Sequence, residues 1–544
     1  MNKFKKKFQY WFDNQMSKGT GAMILMLAVL TIVVVIVIVG IINGIEPSED
    51  GVTSTAWDVI TTVINAWMPY SEDGGLGFLI PTAIAAMFGL LFTSVLIGIV
   101  STAIEEKIDS LKKGNSLVVE EGHTVVLGFE SGAYEVISQL IAAVESNEKL
   151  CLVVAGEGEK DEMEAEIRDN IVLPKNVKLI YRKIDICSTA ALECCSIETA
   201  KSVIISCYDD MKTVKSALAV INRLKEYPEA NVRITTSVTR NEFLFPETLT
   251  KRNNIQMIQT NDVIARIIAH ACSQPGIAKT FIEVMNFEGA ELYVNSNPDI
   301  IGKTFSELYQ TMDDGVPVGL LRGEDVILGQ ALNETLQAGD RLVYMAKVKN
   351  GYKLTHQEVH DLVINEMHEH EICESRKILI IGCNEQIERI LLELPESVKQ
   401  VVFAEVSKRQ KKAIKACSEG MTDRKISFES GSLMEEGILT ELTEDVNHVI
   451  LLNNEEKERE ESDVHNILVY LKLVDLQIRL GRTFNITIEL NFENNRELIR
   501  KRNNTDFVVA NNMSAMLLSQ LAVTPHLNYV FDELLSNEGV EIRL

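Results

Sequence analysis

Thr124-Val125-Val126-Leu127-Gly128 is a short apolar run closed by a glycine, and Ile378-Leu379-Ile380-Ile381-Gly382 repeats it. A helical pattern follows each, over residues 134–144 and 385–394. Strands this short and uniformly apolar are buried on both faces, and their alternation with helices predicts a doubly wound parallel sheet in each place. Further strands are expected at 150–155, 177–181, 202–207 and 232–238 after the first run, and at 401–405, 448–452 and 484–490 after the second.

The two regions are copies. Lys251-Arg252-Asn253-Asn254 recurs as Lys501-Arg502-Asn503-Asn504, and an ungapped register at that offset of 250 carries 12 identities over the 44 positions 251–294 and 501–544. Asn261 then faces Asn511, Pro275 faces Pro525 and Phe281 faces Phe531. A run of this length points to one domain used twice. Between the copies, residues 291–347 read as a smaller β-rich lobe with Gly315, Gly319 and Gly323 at turns, and the second copy reaches Leu544 without a matching lobe. The expected divisions are 1–22, 23–104, 105–121, 122–290, 291–347, 348–375 and 376–544.

Sheets of this kind place ligands where the first strand meets the first helix. The dinucleotide fingerprint G-x-G-x-x-G is incomplete: Gly128 is followed only by Gly132, and the second copy keeps Gly382 alone. The ribose-binding acid would be Glu157 or Glu405. Use in assembly or ion sensing is therefore favoured over an NAD-type nucleotide. Glu157, Glu159, Asp161 and Glu162 follow the second strand and Asp209 and Asp210 the fourth, so hard oxygen ligands could converge on Ca²⁺, the alternative being solvated acidic loops. His356, His360, His368, His370 and Cys373 cluster in the linker without an H-E-x-x-H pattern, a weaker case for Zn²⁺. The nine cysteines show no C-x-x-C spacing and are expected to be reduced thiols, including the adjacent Cys194 and Cys195.

Upstream of the copies the composition changes. Residues 19–45 and 74–104 carry no charge, and each is long enough to span a bilayer. A cleaved signal peptide is a poor reading of the first, whose apolar core is too long. Five lysines (Lys3, Lys5, Lys6, Lys7 and Lys18) stand against Asp13 before the first span, and Lys107, Lys112 and Lys113 follow the second. By the positive-inside rule both termini are cytoplasmic, in a multi-pass protein of the cell membrane. The intervening residues 44–77 hold six acids and no Lys or Arg, a field that gathers cations outside. Within them, residues 55–67 are apolar at helical spacing and end at Met68-Pro69. A short re-entrant helix fits there, and an amphipathic helix on the outer surface is the alternative. Span, half-helix, loop and span make a pore only when several subunits combine.

Composition agrees with this split. A hydrophobic share of 46%, 24% charged residues, a net charge of −25 and a mean hydropathy of +0.06 exclude a disordered or collagen-like chain. With the N-terminus basic and the outer loop holding six acids, most of the negative charge falls on the tandem sheets. Nucleic acid is excluded as a partner, because no compact basic face offsets it.

Ser101-Thr102-Ala103-Ile104-Glu105-Glu106-Lys107-Ile108-Asp109-Ser110-Leu111-Lys112-Lys113-Gly114, then His123 to Gly128, resembles the CASTOR and POLLUX ion channels of plant nuclear envelopes and their prokaryotic relatives. So does Asn261-Asp262-Val263-Ile264-Ala265 leading to Gln274-Pro275-Gly276 and to Phe287-Glu288-Gly289-Ala290-Glu291. The likeness runs from about residue 85 onward. It implies a homotetrameric cation channel in which two transmembrane helices and a pore helix precede α/β Rossmann-like tandem RCK domains (regulators of K⁺ conductance). These would form a gating ring, with Ca²⁺ as a permeant or regulatory ion.

A K⁺ filter of the T-V-G-Y-G type needs glycines, whereas Thr62-Val63 leads into Ile64-Asn65-Ala66-Trp67. The candidate filter is Asn65, Ala66, Trp67 and Met68, with Glu72 and Asp73 nearby, and selectivity among K⁺, Na⁺ and Ca²⁺ stays open. This filter departs from the small polar and acidic stretch of the plant relatives. A ligand that prefers the open ring would pull on the second span through residues 105–114. Gly89 and Gly98 are candidate bending points, with close helix packing as the equal alternative. Two other classes compete: a regulatory subunit of a separate K⁺ transporter, which needs no half-helix, and a membrane-anchored NAD-dependent enzyme. The enzyme needs a fuller glycine fingerprint and a catalytic His or Lys, so no catalytic residue is assigned.

Overall fold

The computed structural model describes residues 20–45, 51–65, 75–112, 116–129, 133–144, 148–287, 289–328, 334–355, 376–431, 433, 437–499, 502, 504–524 and 526–536. The chain divides into two compact units, Met1–Gly114 and Asn115–Leu544.

The first unit is helical: α1 (Thr20–Ile45), α2 (Val52–Asn65) and α3 (Leu76–Lys112). Met23–Ile45 and Leu76–Glu105 are long and apolar enough to cross a membrane. At 1.5 Å per residue the shorter of them covers about 35 Å, more than a hydrocarbon core of about 30 Å. The short helix α2 is amphipathic. Its Val59 and Val63 are buried with Ile38, Val39 and Ile42 of α1 and Ala85 of α3, while Trp57 and Ile64 stay exposed. Helix α2 starts three residues ahead of the expected 55, after Gly51 at a positive φ of 86°. Helix α3 continues through residues 105–112, which the sequence suggested as linker.

The second unit begins with β1 (Thr124–Leu127), α4 (Ala133–Ala142), β2 (Leu150–Gly156), α5 (Lys160–Asn170), β3 (Val177–Lys183), β4 (Ser202–Ile205), α6 (Asp210–Leu224), β5 (Arg233–Val238), β6 (Ile255–Gln259), α7 (Thr260–Ser273) and α8 (Ile277–Met285). The six strands pair in parallel in the order β3-β2-β1-β4-β5-β6, which reverses between β1 and β4. β1 and β4 are wholly buried, as the uniformly apolar runs require.

The lobe follows, with β7 (Glu291–Asn295), β8 (Met312–Asp313), β9 (Gly315–Arg322), β10 (Asp325–Leu328), β11 (Arg341–Ala346) and β12 (Lys353–Leu354). Its main antiparallel sheet runs β10-β9-β11-β7, and β12 pairs with β8, so the lobe extends past residue 347. Of the three glycines expected at turns, only Gly323 is at one, with φ 69° between β9 and β10. Gly315 opens β9 and Gly319 lies inside it, where a Cβ would meet the Ile327 carbonyl at 2.5 Å. These two glycines mark close approach of neighbouring strands rather than bends.

The second copy holds β13 (Arg376–Ile381), α9 (Ile387–Glu393), β14 (Val398–Ala404), α10 (Lys408–Cys417), β15 (Lys425–Phe428), β16 (His448–Leu451), α11 (Arg459–Leu480), β17 (Asn485–Leu490), β18 (Thr505–Val509), α12 (Ala510–Val523) and α13 (Leu527–Leu534). Its order, β15-β14-β13-β16-β17-β18, reproduces that of the first sheet. Strands β6 and β18, and helices α7 and α12, begin and end 250 residues apart, as the internal repeat requires.

The copies exchange helices. Ala515, Leu518 and Ala522 of α12 join Val126, Val136, Ile137 and Leu140 in the core of the first copy. Reciprocally, Ile264, Ile267 and Ile268 of α7 share a core with Ile378, Ile380, Ile390 and Leu391 of the second. Full burial of each such aliphatic side chain contributes about 1.5–3 kcal/mol, so neither sheet keeps its core without the other copy's helix.

Candidate functional site

Each sheet has its reversal point beside a glycine. Gly128 has φ 99° and Gly382 φ 86°, and a Cβ at either would fall 2.3 Å from the Ser206 carbonyl or 2.5 Å from that of Leu452. Both glycines therefore press the first turn onto the end of β4 or β16. Gly132 lies outside the described residues. Glu157 is exposed and ion-paired with Lys212 at 3.2 Å. In the equivalent place of the second copy Glu405 has φ 52°, and its Oε2 lies 2.5 Å from His465 Nε2. Burial raises the Glu405 carboxyl, but the bond and charge of His465, the Leu433 amide and the charge of Lys457 together hold it below its ordinary value.

The carboxylates considered for Ca²⁺ are occupied separately. Asp209 caps α6 by accepting from Met211 N at 3.0 Å. The buried Asp210 accepts from Thr239 N (2.9 Å), Thr239 Oγ1 (2.7 Å) and Arg240 N (3.1 Å), tying β4's exit to β5's. Glu159 pairs with Lys183, and Asp161 and Glu162 lie in the first turn of α5. Among the described residues no group of three or more His, Cys, Asp or Glu is placed to hold a metal ion, so Glu157, Asp209 and Asp210 do not form the expected cluster. His356, His360, His368, His370 and Cys373 lie outside the described residues.

In the membrane unit, Ala66, Trp67, Met68, Glu72 and Asp73 fall outside the described residues, and Asn65 is the last residue of α2. A Cβ at Gly89 would lie 2.2 Å from the Val63 carbonyl oxygen, so Gly89 lets α3 approach α2, whereas Gly98 has nothing within 4 Å.

The feature that sequence reasoning missed lies between the copies. The carboxyl ends of β4, β5 and β6 face those of β13, β16 and β17 across a cavity of about 370 Å³. On the first side are Tyr208, Ser237 and Thr260. Asn511 Nδ2 donates to the Tyr208 hydroxyl at 2.8 Å, Arg459 stacks 4.4 Å over its ring, and Ser514 Oγ lies 3.2 Å from that of Ser237. On the second side Glu489 is a buried hub. It accepts from Asn384 Nδ2 (2.8 Å), Gln386 Nε2 (2.8 Å) and Asn453 N (2.9 Å). Burial pushes its carboxyl up to about 7, opposed by these three bonds and assisted by Asp463. Burial also raises Glu385 at the rim, with Arg240 opposing and Glu455 and Asp210 adding to it. A charged residue, Glu489, between Ile488 and Leu490 was the signal available in the sequence.

Residues 261–363 match the family model described as "Castor and Pollux, part of voltage-gated ion channel". The chain is 25% identical to "Probable ion channel SYM8" of Pisum sativum, over 87% of this chain and 58% of that protein. It is 25% identical to "Ion channel DMI1" of Medicago truncatula, over 87% and 59%, and 23% identical to "Ion channel CASTOR" of Lotus japonicus, over 87% and 61%. The chain thus spans about three fifths of the length of these relatives. Among solved structures, "GsuK Channel" aligns over 94% of this chain and 84% of that one, at 14% identity and a TM-score of 0.43.

Two helices long and apolar enough to cross a membrane, followed by two doubly wound parallel sheets of one strand order, define the architectural class of the chain. Within that class, the chain is similar in sequence to the CASTOR and POLLUX ion channels.

Proposed function

We propose that the chain is the subunit of a ligand-gated cation channel, a homotetramer in the cell membrane with both termini cytoplasmic. Four copies of α1 to α3 surround the pore, the candidate filter follows α2, and the tandem sheets form the gating ring. K⁺, Ca²⁺ or both are the permeant ions. The observation that carries this reading is the packing of α2: a helix of 14 residues buries Val59 and Val63 against two helices of spanning length. A pore helix needs that arrangement, and an anchor for an enzyme or a regulatory subunit does not. Kinship with proteins named as ion channels supports it, and so does the exchange of α7 and α12, which makes the two sheets one body that a ligand can bias.

Flux through purified full-length protein in liposomes tests the proposal, with K⁺, Na⁺ and Ca²⁺ compared on both faces. Cation flux without any partner chain is expected. Its absence under every ionic and ligand condition overturns the reading.

A further inference from the structure

Helices α5 and α10 occupy the same place in the two copies, each following the second strand of its sheet, β2 or β14. Each buries two residues one turn apart, Met163 and Ile167 in α5 and Gln410 and Ile414 in α10, and that match fixes the register between them. Asp161, Glu162 and Glu164 then stand where Lys408, Arg409 and Lys411 stand. The charge is thus reversed between the copies at three matched positions, all exposed except the half-buried Lys411.

The acids of α5 have a local reason. Asp161 and Glu162 lie in its first turn, where the helix dipole favours negative charge. Lys408 and Arg409 have the opposite standing, because they open α10 against its dipole in a first turn that holds no acid. With Lys411, Lys412 and Lys415 they make five cations, unmixed with acids, in a helix of ten residues. Among the described residues none of the five forms an ion pair. Glu456, the acid at the cap, accepts from the Ser407 hydroxyl at 2.9 Å instead. Lys411 and Lys415 lie over the Phe428 ring, 5.8 and 5.7 Å from its centre, so part of this basic face is held in place before a partner arrives.

The rest of the charge decides what kind of partner fits. The chain carries a net charge of −25, so a long polyanion or a broad anionic surface that reaches α10 also meets repelling acids around it. A compact acidic face avoids them. Helix α5 is such a face, with Asp161, Glu162, Glu164, Glu166 and Asp169 exposed against Arg168 and a half-buried Lys160. Among the described residues no ion pair joins α5 to α10 within one chain.

We infer that α10 of one chain docks on α5 of a second copy, bringing Lys408, Arg409 and Lys411 against Asp161, Glu162 and Glu164. Because the two faces differ, the contact is head-to-tail, and one face of each kind stays open until a ring closes. The pairing does not need the channel reading, whereas closure at four copies does.

Carbodiimide crosslinking of the full chain in detergent tests this, because the reagent joins a lysine to a carboxylate only where the two touch. Covalent dimers are expected on a denaturing gel, with junctions between residues 160–170 and 408–415 in the mass spectrum. Lys408→Glu with Arg409→Glu should cut the dimer yield about tenfold without lowering the melting temperature, since acids suit that first turn. Asp161→Lys with Glu162→Lys should cut it as much, and the chain carrying all four changes should regain the parent yield. A fold defect cannot give that recovery. Raising the salt from 0.1 to 1 M, which shortens the screening length from about 10 Å to about 3 Å, should lower the parent yield. If the α5 variant fails to fold, the α10 variant and the salt series carry the test. Dimers joined elsewhere, equal yields from parent and reversed chains, or no recovery in a four-change chain that melts like the parent overturn the proposal. Binding to phosphatidylserine vesicles that the α10 variant loses would assign the face to a membrane and overturn it as well. Dimers that form in a protein without cation flux would keep the pairing and count against the channel reading alone.

Discussion

Arg376 Nη1 donates to the carbonyl oxygen of Cys272 at 2.8 Å, and to that of Ser273 at 3.2 Å. Arg376 opens the second copy's sheet, and the carbonyls are the last of α7, which have no partner within their own helix. The other exchanged helix is held the same way. Arg233 Nη1, at the start of β5, donates to the Ala522 carbonyl near the end of α12 at 2.6 Å. A cation at a helix C-terminus also interacts favourably with the helix dipole, so each latch acts by hydrogen bonds and by field.

Arg376→Met should therefore loosen α7 from the second copy. The charged hydrogen bonds it removes are worth about 1.5–3 kcal/mol, with the stranded carbonyls adding to the loss. Chemical denaturation should show a drop of that order, and hydrogen exchange should quicken in α7 before it does in β1. Unchanged exchange in α7 would show that the Arg376 latch does not hold the exchanged helix.

Gly89 and Gly98 were equivalent in the sequence and are not so in the packing. A methyl at Gly89 would sit 2.2 Å from the Val63 carbonyl oxygen, while one at Gly98 meets nothing within 4 Å. Gly89→Ala should push α3 from α2 and lower the melting temperature of the detergent-solubilised protein by several degrees, and Gly98→Ala should stay within about 0.5 kcal/mol of the parent. Equal melting of both variants would remove Gly89 from the packing role.

What the sequence made legible follows from the strength of its local signals. The β1 and β13 runs ending in glycine, the offset of 250 and the two charge-free spans each have a single physical reading. Strands β6 and β18 were not read because they are edge strands that pass into α7 and α12 with no intervening turn residue, and β15 because it is four residues at the other edge. The exchange was hidden for a different reason. Apolar periodicity in α7 and α12 reports that a face is buried, not which sheet buries it. Likewise Glu157, Asp209 and Asp210 share one rim, but rim position does not decide whether a carboxylate faces a cavity, a lysine or a helix N-terminus.

His448 gives the second copy a defined acid sensitivity. It is fully buried at the start of β16, with Nε2 2.8 Å from Thr487 Oγ1. Burial pushes its imidazole down to about 3, and the charge of Arg376 works in the same direction. The fold thus keeps it neutral, while the unfolded chain protonates it near pH 6.5. The stability this confers is complete above pH 6.5 and is lost as pH falls from there toward 3. At about 1.4 kcal/mol per pH unit, going from pH 7 to 5 should cost the parent about 2 kcal/mol more than His448→Gln. Urea unfolding at both pH values, compared between the two proteins, isolates this contribution. Parallel losses in parent and variant would mean that His448 is charged in the fold or that other groups set the slope.

The two exchange interfaces differ in charge, and that difference is testable. Asp262 on α7 forms ion pairs with Arg266 and with Arg389 of α9, each at 2.8 Å, and Arg389 also meets Glu393 at 2.7 Å. At the matching positions of the other interface stand Asn512 on α12 and Glu135 on α4, each helix's third residue. There Asn512 donates to Glu493 at 3.3 Å, and burial, with Glu166 and Glu493 adding to it, raises the Glu135 carboxyl. Among the described residues, the cross-copy ion pair is found on the α7 side. Asp262 and Arg389 are partly buried, so a double-mutant cycle with Asp262→Asn and Arg389→Met should return a coupling of about 1–2 kcal/mol, well above an exposed pair. The single Asp262→Asn change should cost more than that coupling, because Arg266 loses its partner at 2.8 Å as well and keeps Glu393 only at 3.9 Å. A coupling near zero would remove the Asp262–Arg389 pair from this interface's stability, and raising the salt concentration would then leave the unfolding midpoints of all four proteins equally displaced.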